Sequence, residues 1–145
     1  MAIILLLKID VAKRELDHAI KLFLNGGDIV AIHLVISACQ EILGAIGRSD
    51  KSIRSELLKR VKKEKQKEVV NKLNEAYNFF KHADTDSDKL LKFNPDASEF
   101  AIFDSIAMYQ AITSEATGLM QAFRVWFYLK HSDILLYEEQ KTLFN

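Results

Sequence analysis

A chain of 145 residues that is 49% hydrophobic is long enough to bury a core without metal or disulfide staples, and one helical domain over residues 1–145 is the expected organisation. Twenty basic residues balance twenty acidic ones, so net charge gives no case for DNA, RNA or an anionic membrane as the main partner, and a nucleic-acid role would have to rest on a local charge run. The lone Cys39 lies in an apolar run, which excludes an internal disulfide and a Cys-based zinc motif and suits a reducing, cytoplasmic setting.

The opening MAIILLLKID has no basic residue before its apolar run and no small-residue cleavage site after it, so it does not read as a signal peptide. Asp10 can cap a first helix whose apolar positions Ala12, Leu16, Ala19, Ile20 and Phe23 recur at helical spacing, and Asn25-Gly26-Gly27 supplies its end. Asp28 then caps a second helix to about Ile46. That segment approaches membrane-spanning length, but His33, Ser37, Gln40 and Glu41 interrupt it, and it reads as a core helix with no membrane partner.

The apolar phase breaks across VKKEKQKE, which predicts a short helix near 52–61 and a longer one near 65–82. A polar loop over 83–94 follows. Asp96-x-x-Glu99 after Pro95 has the form of a capping box and opens a fifth helix to about Thr113. A sixth runs from Gly118 to about Lys130, and Asp133 can cap a short last helix. The sum is an all-α antiparallel bundle of six or seven helices.

Three of these helices are nearly free of charge. Glu41 stands alone between Ile29 and Gly47, Asp104 between Phe100 and Thr113, and Arg124 between Ala116 and Leu129. A helix apolar all round is covered on several sides, so these three form the core or part of them forms a homodimer interface. Arg124 is then expected to pair with Asp104 or Glu41.

Candidate chemistry collects around FFKHADTDSD. On the fourth helix Asn71, Glu75, Asn78 and His82 share one face, and helix two offers His33, Ser37, Gln40 and Gly44 on another. If those stripes meet they line a polar crevice, with Glu75 and His82 as acid and base, or His82, Asp84 and Asp86 as ligands of a divalent metal. Asn78, Lys81, His82 and Asp84, with His33 and Glu41, are the ligand-binding candidates. Asp84-Thr85-Asp86-Ser87-Asp88 matches the first positions of a calcium loop, but Lys89 and Pro95 occupy the places of its glycine and glutamate. Glu15-x-x-His18 is a single copy of an element that di-iron bundles use twice, and His18 falls opposite the apolar face. The run from Lys59 to Lys67 carries six cations against Glu64 and can steer an anion.

Two resemblances bear on these residues. Arg124 and His131, separated by six residues, fit the R-x(4-6)-H pattern and resemble HEPN domains, which implies a helical, dimeric ribonuclease with both residues at a cleft between protomers. YNFFKHADTDSD with FNPDASEFAIFDSI resembles small, uncharacterised bacterial all-helical proteins that carry an NFFKHAD segment. That likeness runs from the Asp10 helix through the sixth, implies the fold without an activity, and singles out Asn78, Lys81, His82 and Asp84. Two functions follow as expectations: a helical interaction or regulatory domain with a small-ligand or metal pocket near His82, and a HEPN-like or metal-dependent nuclease.

Overall fold

A computed structural model describes residues 1–47, 59–81, 88, 90 and 92–136, with residues 73–78, 80 and 81 described through their backbone. The described residues are all-α and contain five α-helices: α1 (Lys8–Leu24), α2 (Ile29–Ile46), α3 (Gln66–Lys81), α4 (Asp96–Thr113) and α5 (Gly118–Lys130). The predicted helix over 52–61 lies mostly outside them, and its end is not helical, because Val61 bridges to Leu135 instead. The predicted last helix does not start at Asp133: residues 132–134 form a turn closed by Ile134 N–H donating to the His131 carbonyl, and the bonds from Lys62 N–H to the Ile134 carbonyl and from Leu136 N–H to that of Arg60 bridge Leu135 to Val61 in the basic run. Residues beyond 136 lie outside the description.

α1 begins one turn earlier than Asp10, whose carboxylate accepts from Leu7 N–H as a third-residue group rather than as the cap. Asp28 caps α2 as expected, its Oδ1 accepting from Ala31 N–H at 2.9 Å. The turn between them needs glycine twice. Gly26 sits at φ +71°, and a Cβ on Gly27 would come within 2.9 Å of the Leu22 carbonyl oxygen. A four-residue connection and the Cys39 Sγ bond to the Ala12 carbonyl make α1 and α2 an antiparallel hairpin.

α4 is the centre. Every residue from Ala97 to Tyr109 is buried, as its near-absence of charge predicts, and it packs against α1, α2, α3 and α5. It runs antiparallel to α5, with Phe103 stacked on Phe127 at 4.2 Å and Phe100 edge-on to Phe127 at 5.2 Å. α2 differs. Ile32, His33, Ile36, Cys39 and Leu43 are buried, while Val30 and Leu34 remain exposed. By length and composition α2 could cross a bilayer, and only 28% of it is buried within the chain.

Candidate functional site

The polar stripe of α2 places His33 and Gln40 against α4, while the side chains of Glu75 and Asn78 on the α3 stripe lie outside the described residues. His33 Nδ1 lies 3.0 Å from Ser98 Oγ with its ring edge-on to Phe93. Seven residues along, Gln40 Nε2 donates to Asp104 Oδ2 at 2.9 Å. Burial holds the His33 imidazole in its neutral form by lowering its pKa to about 4. His33 and Ser98 are 2% and 0% exposed, so this seam is a buried polar joint.

A second polar cluster does reach a surface. Where α3, α4 and α5 meet, a cleft of about 290 Å³ has Val69, Phe100 and Ile134 at its floor and Lys65, Lys72, Lys130, His131, Glu68, Asp96 and Asp133 around it. Its volume falls at the lower end of small-molecule sites, and its rim is far more charged than theirs, with seven ionisable side chains around three apolar ones. Beneath it Glu99 is 5% exposed. Lys130 Nζ donates to Glu99 Oε1, and His131 Nε2 to Glu99 Oε2 at 2.8 Å. Burial alone would raise the Glu99 carboxyl, but the hydrogen bonds from His131 and Lys130, with their charges, outweigh it and hold the pKa below the ordinary value. Burial likewise lowers Lys130, yet Glu99 and Asp96 prevail and raise it. The His131 ring packs against Phe100 and Phe127, at 4.9 and 4.5 Å, in a cluster of three mutually touching rings that holds its position.

Local sequence explains how these groups arrive. His131 is the C-cap of α5, its N–H bonded to the Phe127 carbonyl, so Lys130 and His131 project together from the helix end. Glu99 is in the first turn of α4, but it does not close a capping box. Asn94 Oδ1 accepts from Asp96 N–H at 3.0 Å, which frees Glu99 to turn toward α5. Lys72 stands 5.2 Å over the Phe100 ring and pairs with Glu68 at 3.3 Å, while Lys65 reaches the same carboxylate at 3.7 Å. Lys62 Nζ donates to the Asp133 carbonyl, pinning the basic run at the cleft edge.

Of the candidates read from sequence whose side chains are described, only His131 lines this cleft. Arg124 Nη1 donates to Gln110 Oε1 at 3.2 Å, correcting the expected pairing with Asp104 or Glu41. Gln110 and Glu99 are eleven residues apart on α4, about 16 Å along its axis, so Arg124 and His131 do not converge within one chain. Glu41 is on the exposed side of α2. Glu75, Asn78 and Lys81 belong to α3 by backbone, and His82, Asp84 and Asp86 lie outside the described residues. Among the described residues no three His, Cys, Asp or Glu side chains gather as a metal site. Sequence reading missed Glu99, Lys72 and Lys130; the available signal was a carboxylate at the edge of a helix otherwise almost uncharged. No protein-family model, curated protein or solved structure matches the chain.

Proposed function

We propose that this chain is a helical regulatory domain that binds a small phosphate- or carboxylate-bearing ligand in the α3–α4–α5 cleft. One observation carries the reading: a buried carboxylate, Glu99, fixes two adjacent nitrogen donors, Lys130 and His131, beside the opening where the basic run is pinned. Across 59–72, 96–99 and 130–133, eight lysines and arginines stand against five acids, so the field around the opening favours an anion. Lys65 and Lys72 share the half-exposed Glu68, and an entering anion can replace that carboxylate without leaving a buried charge unpaired.

Holding suits this geometry better than turnover. Glu99 and His131 are 5% and 8% exposed, and the His131 nitrogen facing Glu99 is already engaged. A phosphodiester-cleaving reading through Arg124 and His131 would need a second protomer to bring another arginine to the cleft.

Isothermal titration calorimetry with inorganic phosphate, pyrophosphate, AMP and citrate tests the proposal. At least one should bind with Kd of roughly 10 μM to 1 mM, weaken as salt is raised, and lose tenfold or more in affinity in Lys72→Ala. Absence of binding by all four at millimolar concentration, in protein with a normal melting transition, would refute it.

A further inference from the structure

We propose that the α1–α2 hairpin forms an antiparallel twofold interface with a second copy of this chain. Large apolar side chains stand exposed at both ends of the hairpin. Ile3, Ile4, Leu5, Leu6 and Leu7 lead into α1, with Leu5 93% exposed, and Leu24, Val30 and Leu34 flank the turn at the other end, with Leu34 50% exposed. Together these eight residues, each 41–93% exposed, present an area on the order of the ~800 Å² per partner that a stable interface covers. Apolar surface of that extent, divided between two patches on one hairpin, marks an interaction site.

The arrangement also selects the symmetry. In an isologous pair each patch must meet its counterpart by a twofold rotation. Two apolar patches at opposite ends of one hairpin satisfy this when the hairpins lie antiparallel, so that Ile3–Leu7 of one copy covers Val30 and Leu34 of the other. α2 is the side that approaches. Among residues 29–46 it carries Glu41 as its one charge, whereas Lys13, Arg14, His18 and Lys21 keep the outer side of α1 polar. Ala38, exposed and equidistant from Ala31 and Ala45, falls nearest the axis.

Sedimentation velocity on the full chain from 2 to 200 μM, with Leu34→Glu in parallel, tests this directly. The proposal expects a dimer that Leu34→Glu weakens at least tenfold while its circular dichroism and thermal transition stay those of the parent. It also expects Ala38→Cys to cross-link between chains under mild oxidation, which a contact made elsewhere on the surface would not allow. A monomer at every concentration overturns it, as does a dimer indifferent to Leu34→Glu that fails to cross-link. Flotation of a monomeric chain with phosphatidylcholine vesicles would overturn it in favour of a membrane as the occupant.

Discussion

His33 and His131 are both nearly sealed from solvent, yet their surroundings give them different work. His33 meets the hydroxyl of Ser98 and the edge of Phe93, and burial keeps it neutral. His131 meets the carboxylate of Glu99, which also holds Lys130, at a cleft lined by further lysines. The first joins α2 to α4 through neutral groups; the second gathers charge beside an opening. Burial therefore does not separate a histidine inside a helix seam from one beside a cleft, whereas the partner and its route to solvent do.

The largest expected effect is at Glu99. Glu99→Ala leaves Lys130 and His131 without their shared carboxylate and should cost about 3 kcal/mol in urea unfolding. Ser98→Ala removes only a neutral partner and should cost about 1 kcal/mol. Equal losses would erase the contrast between the two histidines.

Acid should reach His33 first. Its pKa of about 4 lies below the ordinary imidazole value, so the folded state refuses a proton that the unfolded state accepts as pH falls through 6.5. The stabilisation is complete above that value and declines by on the order of 2 kcal/mol as pH approaches 4. Glu99 has a depressed pKa, so its contribution is present above the unfolded carboxyl pKa of about 4.3 and is lost only as pH falls further through its folded value. Unfolding curves at pH 7, 5.5 and 4.5 should show the first decline in the parent and a flat profile in His33→Gln.

Arg124→Met is expected to cost about 1 kcal/mol or less, since one part-buried bond to Gln110 is lost; a loss matching that of Glu99→Ala would reinstate a buried ion pair. Smallest is Lys72→Ala, which should shift stability by no more than about 0.5 kcal/mol while weakening anion binding tenfold.

Much of the scaffold is legible in the residues. Asp28, the Gly26 turn and the uncharged stretch from Phe100 to Thr113 mark α2, the hairpin and the central α4, because caps, left-handed turns and all-round burial are written locally. The polar stripe of α2 is legible as a face, but that Ser98 and Asp104 of α4 lie alongside it is not, since which helix comes alongside is decided by packing of the whole chain. Glu99 shows the limit most clearly. After Pro95 the spacing Asp96-x-x-Glu99 has the form of a helix cap, and nothing nearby reveals that Asn94 will take the Asp96 N–H while the end of α5 arrives to claim the carboxylate. The expected pairing of Arg124 with an acid failed for a related reason: half-exposed at the α4–α5 seam, the guanidinium is satisfied by the amide oxygen of Gln110.

The central claim is that the Glu99–Lys130–His131 corner receives an anion while the His33 seam does not. Histidine imidazole ¹H–¹⁵N spectra, recorded at pH 6 during titration with the tightest-binding of the four anions, test it most directly. The account predicts that His131 resonances move with saturation and stop moving in Lys72→Ala, while His33 stays neutral and still. His131 resonances that never respond, or His33 resonances that shift in their place, would contradict it.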